Sequence, residues 1–213
     1  MVFDERYENN ATSDNLGRIS FENDIFTKIA GQGKMFSYVA DQFWMSIKSA
    51  GSAVYANQKQ LEIFKQTHPE RLSGDTVYVH PSAQVDPTAK LGPYASIGAN
   101  AKIGPGVRVR NSIVLDNANL KSHSCVLNSI VGWHSQIGEW TRVEGTATKL
   151  DPDAPHATTD NFDLFDGKGK LRPSVTILGR DVIVPNEVVI LNSVVLPNKD
   201  MSSSWGLKNQ ILL

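Results

Sequence analysis

From Val79 onward an aliphatic residue returns at every sixth position, and this period constrains the fold more than any other feature of the chain. The units read Val79-His-Pro-Ser-Ala83, Val85-Asp-Pro-Thr-Ala89, Leu91-Gly-Pro-Tyr-Ala95, Ile97-Gly-Ala-Asn-Ala101, Ile103-Gly-Pro-Gly-Val107 and Val109-Arg-Asn-Ser-Ile113. Six aliphatics in register arise by chance about once in several thousand trials. A second stripe, four places after the first, is Ala in four units and then Val and Ile. Period six is neither a helix period nor a plain strand alternation. It fits a chain that runs straight for a few residues and then turns, three times per coil, so that coils stack at the strand spacing of about 4.8 Å. The chain is therefore expected to be mainly β, a parallel β-helix from about Val79 to Pro197. The aliphatic stripe fills each inner face, with small residues such as Ala83 and Ala95 beside it. Gly92, Gly98 and Gly104 are expected at bends where a missing Cβ permits unusual dihedrals. Pro81, Pro87, Pro93 and Pro105 stiffen the corners.

Between Leu115 and Val131 the register slips, then resumes as Val131-Gly-Trp-His-Ser135, Ile137-Gly-Glu-Trp-Thr141 and Val143-Glu-Gly. A second block runs Leu178-Gly-Arg-Asp-Val182, Val184-Pro-Asn-Glu-Val188, Ile190-Leu-Asn-Ser-Val194 and Leu196-Pro. Between the blocks, residues 146–174 form a polar insertion with no repeat. A loop of this length in a compact repeat is functional or disordered. Its Leu150, Asp151, Pro152, Phe162, Leu164 and Phe165 make it the candidate interaction loop, since a purely solvated segment has no need of Phe162, Leu164 and Phe165.

Residues 1–72 read differently. Ser20 to Gly31 has acids in its first turn and Gly at its end, which predicts a short helix. Met35–Val39 and Gln42–Ile47 read as strands, and Ala53–Thr67 as a helix with an apolar stripe at Val54, Leu61 and Phe64. Two or three strands and two helices enclose no core of their own. This segment reads as the C-terminal remnant of a larger α/β domain, followed by a β-helical domain over 73–213.

Composition removes several classes of function. A net charge of -1 gives no electrostatic reason to expect nucleic acid or an anionic membrane as partner. No apolar run approaches the ~18 residues needed to span a bilayer. One cysteine, Cys125, excludes an internal disulfide framework and fits a reducing, cytoplasmic setting; a small buried filler is its expected role. His80 and His134 sit at unlike places in their hexads, no second ligand lies at metal spacing, and these two and His123 are expected at exposed corners or turns. Trp133 and Trp140 are expected at the surface or between coils.

The stretches Ser20-Phe-Glu-Asn-Asp-Ile-Phe26, Asp41-Gln-Phe-Trp-Met-Ser-Ile-Lys-Ser-Ala-Gly-Ser-Ala-Val-Tyr55, Ser129-Ile-Val-Gly-Trp133, Arg142-Val-Glu-Gly145 and Asn209-Gln-Ile-Leu-Leu213, in this order, resemble the sugar-1-phosphate nucleotidyltransferases. Within that family they look closest to the alpha-type mannose-1-phosphate guanylyltransferases. The resemblance covers essentially the whole chain. It implies a left-handed β-helix, against the usual right-handed crossover, preceded by the end of a Rossmann-like nucleotidyltransferase domain whose front is absent here, as in an N-terminally truncated member.

Two departures from the family pattern bear on activity. Catalytic members carry Trp-x-Asp-Ile-Gly, whose Asp helps hold Mg²⁺; here that place is Ser46, with Lys48 where the Gly would be. Their Glu-Lys-[Asp/Glu] is Glu22-Asn23-Asp24 here. Glu22 is left as a weak candidate for accepting hydrogen bonds from sugar hydroxyls, beside its plain reading as a helix-start acid. No Gly-rich nucleotide loop is present, so the expectation is no catalytic residue, metal or cofactor in this chain. The resemblance implies a regulatory or structural subunit in GDP-mannose biosynthesis. Its partners would be a catalytic guanylyltransferase paralogue and further copies of itself, with GDP-mannose bound only when the full N-terminal domain is present. An active guanylyltransferase in a full-length form, converting GTP and mannose-1-phosphate to GDP-mannose and pyrophosphate, stays open. So does a subunit of the translation-initiation exchange factor; a hexapeptide acyltransferase ranks last.

Overall fold

A computed structural model describes residues 19–39, 43–47, 49–147, 164–201 and 206–213. Its contacts divide the chain into two units, Met1–Gln42 and Phe43–Leu213. In the first, a π-helical turn Phe21–Phe26 continues into α1, Thr27–Ile29. Ser20 caps it, its hydroxyl accepting from the Asn23 amide at 3.2 Å while Asp24 accepts from the Ser20 amide at 2.7 Å. The strands expected at Met35–Val39 and Gln42–Ile47 are not formed at any described residue of either segment. Strand propensity by itself supplies no hydrogen-bond partner. Phe36 is 92% exposed.

In the second unit α2, Ala50–Thr67, begins three residues before the expected Ala53 because Ser49 and Ser52 form a reciprocal capping box. Val54 and Leu61 are buried as the stripe predicts, and Phe64 is half-buried with the Arg71 guanidinium 5.4 Å over its ring. The helix packs on the outer face of the solenoid. Tyr94 donates its hydroxyl to Glu62 at 3.1 Å, Ser96 to Asn57 at 2.6 Å, and Gln58 donates to Asn111 at 2.5 Å.

The solenoid is the expected left-handed β-helix. Its first two coils are β1 Val77–Val79, β2 Gln84–Val85, β3 Lys90–Leu91 and β4 Ala95–Ile97, β5 Lys102–Ile103, β6 Arg108–Arg110. The next two are β7 Ser112–Val114, β8 Asn119–Leu120, β9 Cys125–Leu127 and β10 Ser129–Val131, β11 Gln136–Ile137, β12 Arg142–Glu144. After the insertion come β13 Thr176–Leu178, β14 Ile183–Val184, β15 Val189–Leu191, then β16 Val194–Val195, β17 Gly206–Lys208 and β18 Ile211–Leu212. All pairings between these strands are parallel. Sheet A is β1-β4-β7-β10-β13-β16-β18, sheet B is β2-β5-β8-β11-β14, and sheet C is β3-β6-β9-β12-β15-β17. Ile97, Leu120, Val126, Ile137, Leu178 and Ile190 fill the interior at 2% exposure or less, with Ala95, Ala101 and Ala118 as the small partners. The solenoid runs past the expected end at Pro197, with Met201, Leu207 and Leu212 carrying the core onward.

The repeat is shorter than six-fold spacing predicts. Val77 pairs with Ala95, an offset of 18, but Ala95 pairs with Ser112 and Ser112 is in line with Ser129, offsets of 17. One residue is lost at the corner between sheets C and A. The first such corner is Gly92-Pro93-Tyr94, with a cis Gly92–Pro93 bond; the later ones turn on Asn111, Asn128, Asn192 and Asn209, each with φ near +50°. Asn enters the left-handed region more readily than other side chains and turns the chain in fewer residues. The slip therefore falls at Asn111, ahead of Leu115, and it persists. Ile113 and Val194, expected inside, face outward, and Leu196 is 38% exposed. Their inward places belong to Ser112, Ser193 and Val195.

Two further expectations change. Gly92 takes φ +96°, but Gly98 and Gly104 do not adopt a positive φ; that conformation falls two residues later, on Asn100 and Gly106, as on His134 and Trp140 after Gly132 and Gly138. The glycines are required by close approach, since a Cβ on Gly98 would meet the Asp116 amide at 2.8 Å. Cys125 is no core filler. Ser124 and Val126 point inward, so period two puts Cys125 on the outer face of β9, half-buried.

Candidate functional site

The insertion is rooted in a hydrogen-bonded corner of the solenoid, between sheets C and A. Cys125 pairs with Arg142 at an offset of 17, but Arg142 pairs with Val189 at 47, so the chain departs after β12 and returns in register at β13. Its two stems are tied together, the Thr146 amide donating to the Ser174 carbonyl at 2.9 Å and the Thr176 hydroxyl to the Glu144 carbonyl at 2.7 Å. Thr146 also donates its hydroxyl to Asn192 at 2.9 Å. A column of amides backs this root: Asn111 donates to Asn128 at 2.7 Å, and Asn128 donates to the Gly145 carbonyl at 2.9 Å. Gly145 itself has no room for a Cβ, which would land on the Asn128 carbonyl, the Thr176 amide and Val175.

The returning limb folds on itself. Phe165 and Leu171 form an antiparallel bridge, and the Arg172 amide donates to the Leu164 carbonyl at 3.0 Å. Between them Asp166 closes the turn, its carboxylate accepting from the amides of Lys170 at 2.8 Å and Lys168 at 2.9 Å. Leu171 is buried, whereas Leu164 and Phe165 are 54% and 44% exposed. The limb thus holds two apolar side chains outward beside Lys168, Lys170 and Arg172. Such a tip is suited to entering an apolar recess with anionic surroundings. Leu150, Asp151, Pro152 and Phe162, the other candidates in this loop, lie outside the described residues. Glu22 is exposed in the first helical turn, accepting from the Ser20 hydroxyl at 3.3 Å.

The backbone amides of Lys170 and Lys168 hold the Asp166 carboxyl below its ordinary value of 3.8. Its contribution to the turn is therefore complete above that value and is lost as pH falls through the lowered one. Asp166→Ala is expected to speed hydrogen exchange at the Lys168 and Lys170 amides at neutral pH. Exchange as slow as in the parent would exclude this closure. Sequence reasoning passed over Asp166, although Asp166-Gly-Lys-Gly169 is a turn signal, and over the Asn column, whose spacing of 17 was masked by the search for sixes.

The other polar candidates stand apart. His123 stacks on Trp140 with ring centroids 4.2 Å apart, His80 bonds Ser82 in its own turn, and His134 is an exposed corner residue. Among the described residues no three His, Cys, Asp or Glu side chains come close enough to hold a metal ion. Ser46 lies between Met45 and Ile47 with no carboxylate beside it in sequence. Burial pushes the Cys125 thiol up, the opposite of the shift that activates a catalytic cysteine. No helix among the described residues is long and apolar enough to cross a membrane.

Parallel sheets built from hexads, with one long insertion at a corner, define a β-solenoid of the hexapeptide class. A family model described as the GMPPB C-terminal domain matches residues 73–212, and the chain belongs to that family. It is 59% identical over 204 residues to a mannose-1-phosphate guanylyltransferase regulatory subunit alpha-A of Danio rerio, covering 92% of this chain and 48% of the relative. It is 53% identical over 206 residues to the regulatory subunit alpha of Homo sapiens, again covering 92% and 48%. The chain thus spans about half the length of the curated relatives it matches. Among solved structures, a GDP-perosamine N-acetyl transferase from Caulobacter crescentus aligns at 14% identity and a TM-score of 0.33, over 68% of this chain and 59% of that one.

Proposed function

We propose that this chain serves as an alpha-type regulatory subunit in GDP-mannose biosynthesis, and that its insertion engages a catalytic mannose-1-phosphate guanylyltransferase paralogue in the cytoplasm. The observation that carries the reading is the insertion itself: a loop rooted in a locked corner, presenting Leu164 and Phe165 outward on a closed hairpin. A mere connector needs none of this, because the single residues Asn111 and Asn128 join the strands at the two preceding corners of this kind. The names of the relatives supply the pathway. Residues 1–72 fit as the end of a nucleotidyltransferase domain with 73–213 as the assembly domain; GDP-mannose binding would then require the rest of that first domain, and self-association would use the solenoid.

The hydrogen bond between Thr146 and Ser174 places the stem ends side by side, so residues 148–172 can be replaced by a short Gly-Ser link. With the paralogue and the altered full chain mixed, inhibition of the paralogue by GDP-mannose is expected to shift at least about fivefold. An unchanged rate and unchanged inhibition would sink the reading.

A further inference from the structure

The insertion occupies one corner, and the outer face of sheet C beside it has a composition unlike the rest of the solenoid. Its first rank, read across paired strands, is Lys90, Arg108, Cys125, Arg142 and Val189. The second is Arg110, Leu127, Glu144, Leu191 and Lys208. Glu144 is the one acid in these ranks, and Arg142 already holds it at 2.6 Å. Lys90, Arg108 and Arg110 have no ion-pair partner among the described residues. Lys90 and Arg108 stand directly opposite one another, like charges whose repulsion an acidic partner would relieve.

The corner leading into this face carries the stacked His123–Trp140 pair, and Trp140 is 62% exposed two residues before Arg142. Val189 is 43% exposed at the far end. Arginine, tryptophan and aliphatic side chains, with acids nearly absent, are the residues that anchor protein–protein interfaces. The contrast with the other faces is direct. Sheet B shows Gln84, Lys102, Asn119, Gln136 and Ile183, and its shallow recess of about 520 Å³ mixes Asp86 and Glu139 with Lys102 and Lys121. Sheet A is covered at β7 and β10 by α2.

We propose that the outer face of sheet C is a docking surface for an acid-rich face of the catalytic subunit. The proposal rests on the partnership stated above and adds a second contact to it, separate from the insertion. A protein surface fits better than a small anion. The main-chain donors of these strands are taken by the next coil, as in Arg108 to the Ser124 carbonyl at 3.0 Å, Cys125 to Thr141 at 2.8 Å and Arg142 to Val188 at 2.8 Å. A phosphate would find only long side chains spread along a sheet, without a backbone cradle. An extended acidic face would neutralise Lys90, Arg108 and Arg110 together and cover Trp140 and Val189.

The test uses the full chain and the purified catalytic paralogue, with affinity measured at ~50 and ~300 mM NaCl. Arg108→Glu with Arg110→Glu is expected to weaken binding at least about tenfold at low salt and to flatten its salt dependence. Trp140→Ala is expected to weaken it about tenfold with the salt dependence kept. These side chains are exposed, so unchanged melting temperatures establish that both variants fold. Cys125 lies in the middle of the face and supplies an independent readout, its alkylation slowing when the complex forms and not slowing for the double reversal. Parental affinity in the double reversal, or undiminished Cys125 alkylation in a formed complex, would overturn the docking surface and leave the regulatory reading standing. No complex with the parent chain would overturn both.

Discussion

Replacing Gly138 with alanine is expected to lower the melting temperature of the chain by roughly 6–12 °C, the shift that about 3 kcal/mol produces in a chain of this size. Gly138 opens the corner after β11, and its amide donates to the Val184 carbonyl of the following coil at 2.9 Å. A Cβ built there lands on the backbone of Pro185 and Asn186. Neither atom belongs to a flexible side chain, so relief requires the two coils to part. Their separation is fixed along the whole rank by the β11–β14 ladder. This is also the junction the chain re-enters after its insertion, where register is restored by pairing alone. Gly132, facing the backbone of Gly179 and Arg180, is expected to behave alike. Gly167 lies in the hairpin turn with nothing within 4 Å of a new Cβ, and its alanine variant is expected to melt within about 1 °C of the parent. Thermal denaturation followed by circular dichroism separates the two; a Gly138 variant as stable as the Gly167 variant would refute the close-approach account.

The same glycines show how far sequence carried the fold. Hexads from Val85 to Val107 were legible because the inner stripe tolerates only aliphatic and small residues, whatever the outer ones are. Why a glycine follows the stripe was misread, because a positive φ and a neighbouring coil both favour glycine, and only coordinates tell them apart. The shortening from 18 to 17 residues was illegible for a related reason. One Asn in the left-handed region replaces two ordinary corner residues, and nothing in Val109-Arg-Asn-Ser-Ile113 says which reading applies until the next coil is in place. Met35–Val39 failed differently, since a strand is a property of two segments and its partner is not written in its own residues. Of the candidate site, the insertion was visible as a gap in the period, and Leu164 and Phe165 as apolar residues without a core to join. The basic face of sheet C was not visible. Lys90, Arg108, Arg110 and Arg142 are scattered in sequence and meet only because each coil returns above the last.

Asn128→Ala is expected to cost about 3 kcal/mol and to loosen the insertion while leaving the solenoid folded. Asn128 holds φ +46°, where alanine is disfavoured by about 1 kcal/mol. Its side chain donates to the Gly145 carbonyl at 2.9 Å and accepts from Asn111 at 2.7 Å, two bonds worth about 1 kcal/mol each. Its own carbonyl accepts from the Thr176 amide at 3.3 Å, so both stems of the insertion meet at this residue. Asn128→Gly restores the backbone freedom and still lacks both side-chain bonds, so it is expected to recover about 1 kcal/mol of the loss. Hydrogen exchange should quicken at Thr146 and Thr176 in both variants and stay slow at Ile103 and Leu120, in the sheet remote from that corner. A root that loosens no longer holds Leu164 and Phe165 in one place, so, under the function proposed above, both variants are also expected to bind the catalytic paralogue more weakly. Unchanged exchange at Thr146 and Thr176, with melting as in the parent, would show that the amide column decorates the corner without fixing it.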